Sequence, residues 1–382
     1  MARLALALVL AAALAGCADR PRGVMAPVAT PPPPGAGTVD MLVVTTRQRA
    51  PDDATLFTGE RGEDLSFVDV AVSVPPAGAR AVGEVRWPGT VPGNPATDFV
   101  VTRADVLPLA TVRARFDTIL RRPGIGGRVL VFVHGYNTRF EDAVMRQAQI
   151  AHDTGASRVP VLFTWPSRGQ LTAYTYDRES ANYSRDALER ALAEISRHPG
   201  VRDIAVIAHS MGGWVTLEAL RQMAIRSGRV HPKITQVMLA APDVDVDVFR
   251  TQLAALGAAR PTITLFVSRD DTALDLSRRV WGDVARVGSV DASAEPYHAL
   301  FERERVEVID LTRLATSDPI AHEKFARGAE VVRFIGRRLL AGQRIGDHDG
   351  SFGERVGLVG SDVGAAVGGI LTAPLRVLAG DR

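Results

Sequence analysis

The chain has a single cysteine, Cys17, in 382 residues. An intramolecular disulfide is therefore impossible, whatever the redox state of its compartment. No His, Cys, Asp and Glu residues fall at metal-ligand spacing and no glycine-rich dinucleotide fingerprint occurs, so neither a metal nor a cofactor is implied. Internal repeats are lacking as well. Charge of one sign is barely in surplus: 45 Lys and Arg against 43 Asp and Glu leave +2. The basic residues are scattered, and their densest group (Arg113, Arg115, Arg121, Arg122) reads as a solvated face, so nucleic acid is not an expected partner. Nor is there an apolar run fit to span a bilayer: Leu4 to Leu14 is too short, and Val356 to Leu378 is broken by Ser361, Asp362, Pro374 and Arg376.

The composition that remains, 46% apolar and 23% charged, is that of a globular protein large enough for one α/β domain. Residues 1–17 read as a secretory signal, with Arg3 as its basic start and Leu4 to Leu14 as its apolar core. The signal ends Leu14-Ala15-Gly16-Cys17, which resembles the lipobox of bacterial lipoproteins. That resemblance implies that Cys17 is acylated and anchors the protein to a membrane. Ala18, rather than aspartate, implies sorting to the outer membrane, facing the periplasm. Residues 18–38, with Pro31 to Pro34, read as a semi-extended tether, residues 39–342 as the folded domain, and residues 343–382 as a Gly/Ala-rich tail.

Within the domain, Asp40 to Thr46, Leu65 to Val74 and Ala81 to Trp87 are expected strands, with 51–64 a polar, turn-rich connection. Phe99 to Leu107 is expected at a sheet edge, and Thr111 to Arg121 is weakly helical. From Arg128 onward strands and helices alternate. The strands are Val129 to Val133, Val159 to Trp165, Ile204 to Ala208, Ile234 to Ala240, Thr262 to Val267 and Val306 to Ile309. The helices are Phe140 to His152, Glu179 to Arg197, Gly212 to Arg226, Val246 to Leu256, Ala273 to Val284 and Glu323 to Leu340. Such alternation predicts a mostly parallel sheet with helices on both faces, preceded by antiparallel N-terminal strands.

Between the strand ending at Ala208 and the helix beginning at Gly212 stands Ala208-His209-Ser210-Met211-Gly212. It resembles the nucleophile elbow of α/β-hydrolases, Gly-x-Ser-x-Gly, with Ala208 in the first glycine's place. A serine hydroxyl needs a base within hydrogen-bond reach and a carboxylate to orient that base, and in such enzymes the chain order is Ser, acid, His. After the strand Thr262 to Val267, Asp271 is the expected acid. Asp270 is its neighbour alternative, and Asp243 or Asp245, after the preceding strand, is a second competitor. Beyond the last strand, His322 is the expected base; His209 lies too close to Ser210 in sequence to reach its hydroxyl. The oxyanion would meet the N–H of Met211 and one from the loop His134-Gly135-Tyr136-Asn137, with Tyr136 expected and Asn137 the alternative. His134 is expected to be structural. Trp165, Arg168 and Tyr174 are candidates for the pocket lining, Arg168 for an anionic group and the two aromatics for an acyl or aromatic one.

The run Val131 to Asn137 with Phe140, Ala143, Arg146 and Gln147, the segments Phe163 to Gly169 and Tyr176-Asp177-Arg178, the elbow, Ala240-Ala241-Pro242-Asp243 and Ser268 to Leu274 together resemble a bacterial α/β-hydrolase family of unknown function, esterase/lipase-like in character. Gly213 departs from it, where asparagine would stand. The resemblance covers roughly residues 40–340 and implies the fold and the Ser210, Asp271, His322 set, but no substrate. The expectation is a serine hydrolase acting on an acyl or lipid ester at the cell envelope. Acyl transfer, amide or thioester chemistry on the same residues, or a non-catalytic binding role, are the alternatives.

Overall fold

Short runs of β-branched and aliphatic residues become the strands of one sheet. The structure, a computed structural model, describes residues 21–341 and 358–359. Three strands lead: β1 (Gly37–Arg49), β2 (Phe57–Val74) and β3 (Val100–Leu107). The alternating region supplies β4 (Arg128–Val133), β5 (Val159–Thr164), β6 (Asp203–His209), β7 (Ile234–Ala240), β8 (Thr262–Val267) and β9 (Glu307–Asp310), and Leu358–Val359 forms a short β10. Their order across the sheet is β10-β9-β8-β7-β6-β4-β5-β1-β2-β3. Neighbours from β9 through β5 to β1 are parallel; β1–β2, β2–β3 and β9–β10 are antiparallel.

The helices are α1 (Leu109–Leu120), α2 (Phe140–Asp153), α3 (Tyr174–Arg197), α4 (Met211–Ser227), α5 (Val246–Leu256), α6 (Thr272–Val280), α7 (Tyr297–Arg303), α8 (Lys324–Arg327) and α9 (Ala329–Ala341). The two-residue period of the strands divides the core between the faces. Val129, Val131 and Val133 of β4 join Leu188 and Leu192 of α3, Val215 and Leu220 of α4 and Phe249 of α5 on one side. Leu130 and Phe132 join Phe140 and Val144 of α2 and Val331 and Ile335 of α9 on the other. Strands buried on both faces need apolar residues at every position, which is why these runs are continuous rather than alternating. No described helix is long and apolar enough to cross a membrane.

Several boundaries differ from expectation. Ala81 to Trp87 is not a strand: the chain turns at Gly83, with φ +90°, whose N–H donates to Asp153 Oδ2 at 2.7 Å. Trp87 packs on the core without a ladder partner. Residues 51–64 are not all connection. β2 already begins at Phe57, which is buried against Phe140 with ring centroids 5.0 Å apart. β1, expected among antiparallel strands only, also pairs in parallel with β5. The last helix is broken at Gly328, whose ψ of 109° is extended, giving α8 and α9. α6 stops at Val280, and the short α7 was not anticipated.

The expected tether is in part docked. Val24 and Met25 are buried in the core; Met25 N–H donates to Ala54 O at 3.1 Å and Val28 N–H to Val101 O at 2.8 Å. Two large apolar side chains in a stretch otherwise rich in Pro, Ala and Gly supply the area for that docking. The signal segment, Cys17 and the tail beyond residue 342, except Leu358–Val359, lie outside the described residues. Met25→Ala should therefore lower unfolding stability by about 2–5 kcal/mol, while Pro32→Ala should change it by less than about 0.5 kcal/mol, as read from urea denaturation midpoints.

Candidate active site

β6 ends at His209 and α4 begins at Met211, so the reversal falls on Ser210 alone. Its φ of 52° and ψ of −123° lie where a side chain costs about 1–3 kcal/mol, unless surroundings hold it there. They do: Ser210 N–H donates to Ala240 O at 2.9 Å, and its own carbonyl accepts from Gly213 N at 2.9 Å and Asp243 N at 3.2 Å. The turn presses the helix start onto the end of β4. A Cβ on Gly212 would meet Val133 O at 2.7 Å, and one on Gly135 would meet Ser210 Cβ at 2.8 Å. Ala208, fully buried, fits where the elbow has its first glycine.

β8 delivers Asp271 at the same sheet edge. One carboxylate oxygen caps α6 by accepting Leu274 N–H at 3.0 Å; the other accepts from His322 Nδ1 at 2.6 Å. Helix cap and imidazole partner are thus one residue. Asp270 is engaged elsewhere, with Lys324 Nζ 2.8 Å from both its oxygens. Asp245 caps α5. Asp243 accepts from Tyr174 OH at 2.7 Å and Ser277 Oγ at 2.6 Å. Among the four candidate carboxylates, only that of Asp271 is hydrogen-bonded to His322.

His322 is held by a turn centred on Asp318, whose carboxylate accepts the N–H groups of Ile320, His322 and Glu323 at 3.2, 2.7 and 2.7 Å. Its ring lies against that of His209, centroids 4.6 Å apart, which puts it beside the elbow. The Ser210 hydroxyl itself makes no hydrogen bond among the described residues. His209 donates its Nε2–H to His322 O at 3.2 Å and stacks on Phe325, so it packs behind the His322 imidazole. Burial and the neighbouring His322 hold the His209 pKa down to about 3, leaving it neutral. Burial also disfavours the charged form of His322, but the charge and hydrogen bond of Asp271 outweigh it, and its pKa lies above the ordinary value.

The loop after β4 carries the expected oxyanion donors. Asn137, at φ 56°, turns its N–H onto Asp177 Oδ2 at 3.3 Å. Met211 opens α4, where an N–H has no intrahelical acceptor. His134 is structural: its Nδ1 lies 2.8 Å from Gly135 O, its Nε2 accepts Trp165 N–H at 3.1 Å, and burial with Arg47 beside it drives its pKa well down.

Two residues given no role by the sequence reading organise this edge. Asp177 is fully buried and accepts from Ser167 Oγ at 2.5 Å, Arg168 N at 3.0 Å and Asn137 N. Arg47, also buried, donates to Thr138 O at 2.7 Å and Ser167 O at 2.8 Å. Together they tie the loop after β4 to the loop after β5. Asp177 stands in one of the quoted family segments, but nothing in the sequence says what its carboxylate meets.

The expected pocket residues divide. Trp165 is not a pocket residue: it is fully buried, stacked on His134 at 4.8 Å, with its Nε1–H donated to His134 O at 2.8 Å. Arg168 lines an open polar cleft of about 400 Å³ with Thr58, Gly59, Glu60 and Gln170. Its guanidinium is already paired with Glu60 at 2.8 and 3.0 Å. Tyr174 sits in a chain of rings between Tyr136 and Trp281, and accepts Trp281 Nε1–H at 2.9 Å. Cys17 lies outside the described residues.

The sign of the His322 shift makes a test. A base with a raised pKa contributes stability fully present below its unfolded value of about 6.5 and lost as pH rises through the folded value. In an NMR titration the His322 ring should therefore show a midpoint above about 6.5, and Asp271→Asn should move it down. An unmoved midpoint in that variant would contradict the coupling.

A family model described as alpha/beta hydrolase of unknown function (DUF900) matches residues 112–338. No curated protein matches the sequence. Solved structures similar to the chain include an esterase from Pyrobaculum calidifontis, 14% identical over 58% of this chain and 78% of that one, with a TM-score of 0.33. Another is the esterase Pf2001 from Pyrococcus furiosus, 12% identical over 84% and 98%, also at 0.33. The chain belongs to the α/β-hydrolase family of unknown function whose model spans the elbow, Asp271 and His322.

Proposed function

We propose that the protein is a serine hydrolase that cleaves carboxylic esters, acyl or lipid, through an acyl-enzyme. The observation that carries this reading is the 2.6 Å Asp271–His322 hydrogen bond set beside the strained Ser210 turn. In the proposed cycle, Ser210 Oγ attacks the ester carbonyl while His322 Nε2 takes its proton. Asp271 fixes Nδ1 as the protonated nitrogen and stabilises the imidazolium. The oxyanion is met by the N–H groups of Met211 and Tyr136. As the tetrahedral species collapses, His322 returns the proton to the departing alkoxide. Water, activated by the same imidazole, then releases the acid and restores the serine.

We further propose that the enzyme works at the cell envelope, held to the outer membrane on its periplasmic side by an acylated Cys17. The lipobox-like Leu14-Ala15-Gly16-Cys17 supports this. Several acyl chains, each buried methylene adding about 0.8 kcal/mol, would make the attachment firm.

Fluorophosphonate should label the wild type and not Ser210→Ala; an unlabelled wild type would remove the serine mechanism. Asp271→Asn should lower kcat/KM on a short-chain nitrophenyl ester by about 10⁴-fold, through the wrong imidazole tautomer. Asp270→Asn, whose carboxylate serves Lys324, should lower it by less than about tenfold. Equal losses in the two would transfer the role away from Asp271.

A further inference from the structure

The loops after β4, β5, β8 and β9 all leave the carboxyl edge of the parallel strands, and they carry Tyr136, Leu171, Asp271 and His322. Of the thirteen large apolar side chains left exposed among the described residues, five lie on the loops and helix that flank that rim. Leu171 is 66% exposed, Leu276 63%, Val280 58%, Ile320 47% and Trp281 43%. They form one neighbourhood. Leu171 O accepts from Tyr136 OH, Tyr174 bridges Tyr136 to Trp281, and Thr272 N–H, at the head of α6, donates to Ile320 O at 3.1 Å. Leu276 and Val280 are one helical turn apart on α6. The guanidinium groups between them are paired, Arg278 with Asp275 and Asp283, and Arg279 with Asp275, so the belt carries little free charge.

The described chain enters at the same edge. Pro21 O accepts from Arg139 Nη2 at 3.3 Å, and Arg139 immediately follows the oxyanion loop. Val24 and Met25 are buried just beyond, so the slack that a free tether would give is absent at this point. Cys17 precedes Pro21 by four residues, a span of at most about 14 Å.

We propose that this apolar rim docks on the phospholipid bilayer that holds the anchor, so that the catalytic mouth opens onto the membrane and draws its ester from it. The proposal rests on acylation of Cys17 and deepens the lipid-ester reading. An exposed apolar belt is otherwise a liability, and a bilayer within the reach of a short anchor covers it at no cost in translational freedom. Trp281, with an apolar body and an N–H, suits the interfacial depth.

The test uses the full, acylated chain in phosphatidylethanolamine/phosphatidylglycerol vesicles doped with phospholipid brominated near the top of its acyl chains. Vesicle flotation reports the anchor, and bromine quenching of tryptophan reports the rim. The wild type should float and be quenched, and Trp281→Phe should float with most of the quenching gone. Leu276→Asp combined with Val280→Asp should lower the ratio of turnover on a vesicle-embedded ester to that on a soluble ester by about tenfold. A wild type that does not float overturns the anchor and the docking together. A floating protein whose quenching is absent, or is unchanged in Trp281→Phe, overturns the docking alone. The same holds if the unquenched protein proves dimeric, its rim covered by a second copy. Fluorophosphonate labelling in the same vesicles reports the serine mechanism separately.

Discussion

Ser210 occupies a backbone conformation that an L-residue adopts only under compulsion, and the residues around it can be read as the source of that compulsion. Three backbone hydrogen bonds grip its two peptide units, to Ala240, Gly213 and Asp243. The turn is feasible only because the first helical turn can lie against the carbonyls of Val133 and His134, which no side chain at 212 would permit. Gly135 makes the matching concession on the facing loop, where its missing side chain leaves room for Ser210 Cβ. The same close approach sets the start of α4 against the loop after β4, so the positions of Ser210 and of that loop follow from a single steric constraint.

A second layer lies beneath the loops. Arg47 has no carboxylate within contact distance among the described residues. Its guanidinium is satisfied by the carbonyls of Thr58, Thr138 and Ser167 and by Thr164 Oγ1. Burial lowers its pKa to about 10, which still leaves it charged at neutral pH. Asp177 is the counterpart: burial raises its pKa, and hydroxyl and backbone donors stabilise the carboxylate. Burying two ions without direct contact is costly, and the cost is offset because each charge aligns groups that would otherwise move. Both ions reach the loop after β4 and the loop after β5, so the loop after β4 is fastened from two sides.

Legibility followed burial. β7, β8 and α5 fall where their apolar patterns place them, because strands buried on both faces and a helix with an acidic cap leave little choice. The sharp turn at Ser210 was legible for the same reason: small residues stand between a buried strand and a helix whose first turns are buried. The N-terminal region was harder. β2 begins at Phe57, within a polar, turn-rich stretch, because its early residues pair with the far end of β1 across two irregularities. Ala81 to Trp87 has the composition of a strand, yet β3 already holds the sheet edge through β2, and a tie from Gly83 to Asp153 bends the segment away. Trp165 reads as a pocket aromatic until its ring is seen stacked under His134.

The amino-acid sequence by itself determined the alternation of strand and helix and the position of the sharp turn at Ser210, since periodicity and turn chemistry are local properties. Which carboxylate meets His322, where the imidazole of His322 rests, and how two buried ions brace the loops were decided only by tertiary structure. Residues 47, 177, 271 and 322 are far apart along the chain, and what each one contacts depends on how the strands are ordered across the sheet, which no single stretch of sequence encodes.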